Sequence, residues 1–120
     1  MTDATREAAS QPQDLERLLV IRQRAGDVDG MAALYEDGAV LVDTEGRFWR
    51  GKDAIRACFT ELVASGREFE FGTQSPAVVC GELALTSTRF ADGDVTAEVA
   101  RRQDDGTWLW AVDRFSLVRR

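Results

Sequence analysis

The sequence predicts an α+β domain in which three N-terminal helices pack on a curved antiparallel sheet. Two observations lead to this prediction. Helical periodicity is confined to residues before 66, and the rest of the chain reads as strands separated by turns. If the sheet curls around the helices, its concave side encloses a cone-shaped cavity, which is a common kind of small-molecule site.

The first two helices are predicted from apolar spacing and from the residues that bound them. Residues 12–25 place their leucines and Ile21 on one stripe, and Gly26 suits the end of that helix. Asp27 is a good cap for a short second helix over 28–36, which places Tyr35 near its end.

A hairpin and the third helix follow. Residues 39–43 are apolar with little alternation, as in a strand that is covered on both faces. A turn at 44–46 and a returning strand at 47–50 complete the hairpin. The next helix runs over 54–65 and ends at a Ser-Gly pair.

The remaining chain predicts a meander of strands. Strands are expected at 68–71, 77–80 and 82–90. Two Asp-Gly turns, at 91–94 and 104–106, then lead into strands over 95–103 and 108–117.

Size and charge limit the classes of partner. A chain of 120 residues with 44% apolar residues fits one globular domain, which we assign to residues 14–118 with a flexible tail over 1–13. The net charge of −6 leaves little surface for neutralising phosphates, so no nucleic-acid partner is expected. The N-terminus lacks the pattern of a secretory signal and no apolar run is long enough for a membrane span. We therefore expect a cytoplasmic protein with no membrane partner.

Histidine is absent, which excludes Ser-His-Asp sites, Cys-His sites and imidazole acid–base chemistry. Cys58 and Cys80 each lie in an apolar segment, where buried small side chains are expected. The acids of the Asp-Gly turns fit ordinary exposed turns, so we predict no metal site and no cofactor. Proton chemistry would have to use carboxylates, Tyr35, lysine, arginine or water.

Asp43 is the first candidate for that chemistry, because an apolar strand ends on it in AVLVDTEGRFWRG. One interpretation is structural, with the carboxylate accepting hydrogen bonds from the backbone of the turn that follows. The other is a carboxylate that faces the cavity and acts as a base. The residue pattern leaves both open.

Two segments resemble one superfamily. They are AGDVDGMAALYEDGAVLVDTEGRFWRGKDAIRACF and ARRQDDGTWLWAVDRFSL, and they are similar to the opening and the last two strands of the NTF2-like proteins, which include the SnoaL-like and ketosteroid-isomerase-like proteins. The resemblance covers roughly residues 14–118. It implies a cone-shaped, cystatin-like α+β barrel and a homodimer packed through the sheet, but no single activity.

The resemblance also implies roles for particular positions. Asp43 matches the general-base aspartate of the ketosteroid isomerases, and Leu19 matches their oxyanion tyrosine but cannot donate a hydrogen bond. Glu98 would match their protonated acid, although a one-residue slip in register would turn it to the opposite face.

Asp113 is the other acid in an unusual place. Strict alternation places it with Leu109, Ala111 and Phe115 on a buried face, and places Trp110 on the other, dimer-facing side. A buried charge needs a partner. Asp113 is therefore either ion-paired to an arginine such as Arg101 or Arg89, or a second pocket carboxylate that works with Asp43.

Four side chains are expected to contact a ligand: Leu19, Tyr35, Phe59 and, at the pocket mouth, Trp49. Together these assignments predict a pocket for a modest apolar molecule carrying a carbonyl or epoxide. The reaction would be a cofactor-independent isomerisation, cyclisation, dehydration or hydrolysis. The alternative is a non-catalytic ligand-binding or dimerisation module.

Overall fold

The computed structural model describes residues 6–118. This part of the chain contains three helices, and they are α1 (Asp14–Arg24), α2 (Val28–Ala32) and α3 (Lys52–Ala64). Its strands are β1 (Tyr35–Val42), β2 (Phe48–Arg50), β3 (Thr73–Gln74), β4 (Val78–Cys80), β5 (Leu83–Thr86), β6 (Thr88–Arg89), β7 (Ala97–Arg102) and β8 (Trp108–Arg114).

Six of these strands form a mostly antiparallel sheet in the order β2-β1-β8-β7-β5-β4. Its parallel pair is β1 with β8, while β3 and β6 form a separate two-stranded sheet. The helices pack on the concave face of the curved sheet, so the predicted α+β class is confirmed. No helix among residues 6–118 is long and apolar enough to cross a membrane.

The core lies between the helices and the sheet. Leu15 of α1, together with Ile55 and Phe59 of α3, is completely buried there against Leu41 and Trp110 of the sheet. Burying one such side chain contributes about 1.5–3 kcal/mol, and these contacts fix the helices over the sheet.

The second helix is shorter than predicted. Asp27 caps it as expected, accepting a 3.1 Å hydrogen bond from the Gly30 amide, but the helix ends at Ala32. Tyr35 begins β1 instead of ending the helix, because the Leu34 carbonyl accepts a 2.9 Å hydrogen bond from the Trp110 amide. Pairing with β8 outweighs the local helical pattern.

A bulge in β8 changes which side chains face the core. Val99 pairs with Val112 and Ala100 pairs with Trp110, so Ala111 is an extra residue in β8. Trp110 and Asp113 are consequently both buried, at 1% and 2% exposure, while Val112 is 45% exposed. The strict alternation was therefore wrong for Trp110, which packs in the core and not on the outer face.

Several smaller features differ from the sequence predictions. Residues 67–72 form no strand, and Ser87 interrupts the predicted strand over 82–90. Cys58 is buried as expected, whereas Cys80 is exposed. Within the predicted flexible tail, residues 1–5 lie outside the described part of the chain. Ala9 is buried, and its carbonyl accepts a hydrogen bond from the Trp108 amide.

Candidate functional site

A polar row crosses the concave face of the sheet. Thr86, Glu98 and Asp113 are successive register partners on β5, β7 and β8, and the apolar Leu41 of β1 follows Asp113 in the same register. Glu98 and Asp113 are therefore direct neighbours, and each is only 2% exposed. This register resolves the question left open by the sequence, because Glu98 faces the concave side.

A cavity of about 340 Å³ lies over this row. Leu19 of α1, Phe69, Phe90 and Phe115 provide its apolar surface. Its polar lining residues are Glu16, Thr44, Arg67, Glu68, Glu70, Asp92, Asp94, Thr96, Glu98 and Asp113. The volume lies at the lower end of the range for ligand pockets, about 300–1,000 Å³.

Tyr35 lies in the core and is the hydrogen-bond partner of Asp113. Its hydroxyl donates a 2.5 Å hydrogen bond to Asp113 Oδ2, and its ring is completely buried against Phe59 and Trp110. Among the described residues, no hydrogen bond reaches Asp113 Oδ1. Burial, and then the charge of Glu98, raise the pKa of Asp113 well above its usual range, which favours its protonated form.

Glu98 and Glu16 complete a group of three carboxyls. Glu98 Oε1 accepts a 2.7 Å hydrogen bond from the Thr86 hydroxyl. Burial raises the pKa of Glu98 to about 7, although the Thr96 and Thr86 hydroxyls act in the opposite direction. Burial, followed by the charge of Glu98, raises the pKa of Glu16 to about 8.

Such a group can move protons at neutral pH. Two adjacent carboxyls in a poorly solvated site resist carrying two negative charges, so one stays protonated when the other ionises. The raised pKa of Asp113 suits a hydrogen-bond donor, and Glu98, with a pKa of about 7, can accept and return a proton. An acid and a base thus lie side by side on one cavity wall.

Asp43 belongs to a different cluster. Its Oδ1 accepts hydrogen bonds from the Glu45 and Arg47 amides at 2.9 and 3.0 Å. Its Oδ2 accepts from Arg47 Nε at 2.9 Å and from Trp49 Nε1 at 3.0 Å. Burial alone would raise the pKa of Asp43, but these four hydrogen bonds lower it, so the group is an ionised carboxylate.

This geometry favours the structural interpretation of Asp43. Both carboxylate oxygens are occupied by donors of the β1–β2 turn, and Asp43 is absent from the residues that line the described cavity. Trp49, predicted at the pocket mouth, donates to Asp43 and likewise does not line the cavity. The expected pairing of Asp43 with Asp113 is not observed.

The other predicted residues are divided between the cavity and the core. Leu19 lines the cavity, as expected for a ligand contact. Phe59 is in the core, where it stacks on Phe115 with ring centroids 6.4 Å apart. Tyr35 does not line the cavity, but its hydroxyl binds Asp113. The partner of Asp113 is therefore this tyrosine and not an arginine. Arg101 pairs with Glu36 instead.

Glu16 was missed by the sequence reasoning. It lies three residues before Leu19 on α1, and side chains at that spacing share a helix face. Leu19 was itself predicted to contact a ligand, and applying this spacing to Leu19 would have identified Glu16 as well.

Comparison with known proteins agrees with this architecture. A profile of the SnoaL-like domain matches residues 15–119. No curated protein matches the chain significantly.

Solved structures also share the fold. An NTF2-like protein of unknown function from Pseudomonas putida has a TM-score of 0.70 and 21% identity, over 97% of this chain and 88% of that one. A Thiobacillus denitrificans protein, assigned as a calcium/calmodulin-dependent protein kinase type II association domain, has a TM-score of 0.75 and 15% identity. That match covers 91% of this chain and 96% of the other. At these identities the likeness concerns the fold alone.

Proposed function

The chain belongs to the SnoaL-like family, and on this premise we propose that it catalyses a cofactor-independent proton transfer on a small molecule held in the cavity. One observation supports this most directly. Glu98 and Asp113 are register partners on adjacent strands, both are buried and line the cavity, and Tyr35 donates a hydrogen bond that orients Asp113.

The two carboxyls take different roles. Glu98 accepts a proton from a carbon next to a carbonyl group, so the C–H bond breaks and its electrons move toward the carbonyl oxygen. Asp113 donates a hydrogen bond from its protonated Oδ1 to that oxygen and stabilises the developing negative charge. Glu98 then returns the proton to another carbon, which completes an isomerisation. Cyclisation and dehydration can begin with the same first step.

Asp43, which the resemblance suggested as the base, has a supporting role in this proposal. Its hydrogen bonds fix the turn next to Thr44, a residue that lines the cavity. Leu19 and Phe115 contact the apolar part of the substrate.

Hydrogen exchange into small carbonyl compounds tests the proposal. The protein is incubated in D₂O with a panel of cyclic and aromatic ketones, and deuterium uptake at carbon is followed by mass spectrometry. Wild type is expected to accelerate uptake, and Asp113→Asn and Glu98→Gln should each reduce that acceleration by about 10²-fold or more.

Glu61→Gln is the matched control, because Glu61 is an exposed residue of α3 that does not line the cavity. It should behave as wild type. Equal acceleration by wild type and both carboxyl variants would show that the exchange does not occur at this site, and the assignment of the pair would be abandoned.

A second candidate function is assembly, and the outer face of the sheet favours it. Val78, Leu85, Val99, Val112 and Val40 are successive register partners across β4, β5, β7, β8 and β1. Three of them, Val78, Leu85 and Val112, are exposed. An apolar row of this kind suits packing against a second copy of the chain, and the Thiobacillus denitrificans association domain has the same fold. The homodimer is compatible with the enzyme, because the cavity opens on the other side of the sheet.

A further inference from the structure

The cavity has an unusual charge pattern. Three carboxyls converge there from three elements, namely Glu16 of α1, Glu98 of β7 and Asp113 of β8. The one basic side chain among the lining residues is Arg67, which is exposed. A ligand that enters this cavity therefore meets several acidic groups together with aromatic rings.

Glu16 has no role in the proton transfer proposed above. Tyr35 binds Asp113 and Thr86 binds Glu98, but no hydrogen bond or ion pair to Glu16 occurs among residues 6–118. Glu16 is only partly exposed, and a carboxyl that loses hydration without gaining a hydrogen-bond partner is unfavourable. Glu16 therefore has free acceptor capacity facing the cavity.

The possible ligands can be ranked by charge. A carboxylate or phosphate would find no buried cation among the lining residues, where acidic side chains outnumber basic ones. A metal ion is not favoured either, because no group of three or more His, Cys, Asp or Glu side chains in the described chain could hold one. An organic ammonium ion supplies both positive charge and N–H donors, and its apolar body fits the aromatic walls.

The geometry points to a ligand that is a small organic amine, whose ammonium group binds Glu16 while its apolar body lies against Leu19, Phe69 and Phe115. This inference rests on the proposed function, which places the substrate in the same cavity. Glu16 then determines specificity, and Glu98 and Asp113 remain available for proton transfer at a carbon close to the ammonium group.

Binding should release a proton. In the empty cavity the pKa of Glu16 is about 8, so its carboxyl is largely protonated at pH 7. When an ammonium ion binds, the O–H bond of Glu16 breaks, the proton passes to the buffer, and the carboxylate pairs with the ligand. Affinity should therefore rise with pH, by up to about tenfold per unit, until Glu16 is ionised in the empty protein.

Other titratable groups around Glu16 must be considered in interpreting that pH dependence. They are Tyr35 and the groups that line the same cavity, namely Glu98, Asp113, Arg67, Glu68, Glu70, Asp92 and Asp94. On its own helix, Arg17 pairs with Glu7 and Asp14 and is thereby occupied. Of these groups, Glu98 has a pKa near that of Glu16, at about 7. Glu16→Gln and Glu98→Gln are therefore measured separately.

Three probes of one shape test the inference: benzylammonium, benzyl alcohol and benzoate. Each is titrated into the protein at pH 8 and at pH 6, and the NMR shifts of the Leu19, Glu98 and Asp113 amides report binding in the cavity. We expect benzylammonium to bind at least about tenfold more tightly than benzyl alcohol at pH 8, and benzoate not to bind. Glu16→Gln should abolish both the preference and the pH dependence, while Glu98→Gln and the exposed Glu61→Gln should keep the preference.

The possible failures are distinguishable. If benzyl alcohol or benzoate binds in the cavity as tightly as benzylammonium, the amine inference is overturned and the ligand cavity of the proposed function stands. If benzylammonium binds equally well to wild type and Glu16→Gln, Glu16 is not the anchor and the inference is again overturned. If none of the three probes shifts the cavity amides, both the amine inference and the ligand cavity are rejected.

Discussion

Two neighbouring rows of side chains cross the same strands, and they invert the usual pattern of a half-buried sheet. The concave row contains Thr86, Glu98 and Asp113, which are polar and buried. The convex row contains Leu85, Val99 and Val112, which are apolar and face outward. An antiparallel sheet with one solvated face normally buries its apolar side chains and exposes its polar ones.

Each row is costly for an isolated folded chain. Buried carboxyls lose hydration, and exposed apolar side chains remain in contact with water. Real proteins break the rules of patterning mainly at functional sites. This contrast supports the two proposals made above, in which the concave row is the chemical centre and the convex row is the assembly face.

The largest effect is expected when a charged side chain is introduced into the convex row, because it should dissociate the proposed dimer. Val112→Lys would place a charge in the middle of the proposed dimer contact, where burying an unpaired charge costs about 3–5 kcal/mol. Because Val112 is already 45% exposed in the single chain, the fold should remain intact while the dimer dissociates. Light scattering coupled to gel filtration measures the change in mass.

Val118→Lys is the matched control for this experiment. Val118 is 63% exposed and follows the last strand, outside the convex row. Val118→Lys should leave the dimer unchanged. A wild-type protein that is monomeric at all accessible concentrations would contradict the assembly interpretation.

The second effect concerns Asp43, a buried carboxylate that, unlike those of the concave row, is fully hydrogen-bonded. Asp43→Ala removes the acceptor for two backbone amides and two side-chain donors. Hydrogen bonds to a charged group contribute about 1.5–3 kcal/mol each, but partial solvation here reduces the sum, so we expect a loss of about 2–3 kcal/mol. Urea unfolding at pH 7 measures it.

The companion variant Asp43→Asn keeps an acceptor oxygen for the backbone amides and should lose less stability than Asp43→Ala. An increase in the midpoint of unfolding for both variants would instead indicate a strained carboxylate that is kept for chemistry.

How far the sequence predicts this molecule depends on the range of the interactions. The helices around Leu15 and Phe59 and the turn after Asp43 could be predicted, because periodicity and turn residues act within a few positions. The family resemblance then supplied the barrel. Asp113 could be recognised as unusual because it is an acid within an apolar strand.

The details of the site could not be predicted in the same way. The bulge at Ala111 depends on pairing between β7 and β8, and it determines that Trp110 and Asp113 both face inward. The hydrogen bond from Tyr35 to Asp113 joins residues 78 positions apart, and it needs Tyr35 in a strand although the local pattern favours a helix. Such contacts are decided by the three-dimensional packing and leave no local signal.

Removing the Tyr35 hydroxyl tests whether Asp113 depends on it. Tyr35→Phe leaves Asp113 buried without its hydrogen-bond donor, which should cost about 1–3 kcal/mol of unfolding free energy. The same change in an Asp113→Asn background should cost clearly less, since the double-mutant cycle isolates the pair. Equal costs in both backgrounds would mean that the hydroxyl stabilises the fold independently of Asp113.

The smallest effect is expected in how Glu98 makes the stability of the fold depend on pH. This effect also separates the two kinds of buried carboxyl. Its pKa is raised from 4.5 to about 7, so the folded state binds the proton more tightly than the unfolded state. The stability that this proton provides is fully present below pH 4.5 and is lost as the pH rises to about 7. Above that pH, the folded protein holds a charge that burial disfavours.

Glu98→Gln removes this charge and keeps an acceptor for the Thr86 hydroxyl. We expect no difference from wild type near pH 4.5, a gain of about 1–2 kcal/mol at pH 8, and a progressive change between the two. Glu61→Gln should show no such trend in the same urea titrations. Neutralising Glu98 would then stabilise the protein while neutralising Asp43 destabilises it, and this difference in sign would distinguish a carboxyl kept for chemistry from one kept for structure. A loss of stability in Glu98→Gln at pH 8 would mean that Glu98, like Asp43, has a structural role. The proposal that Glu98 is the base would then be rejected.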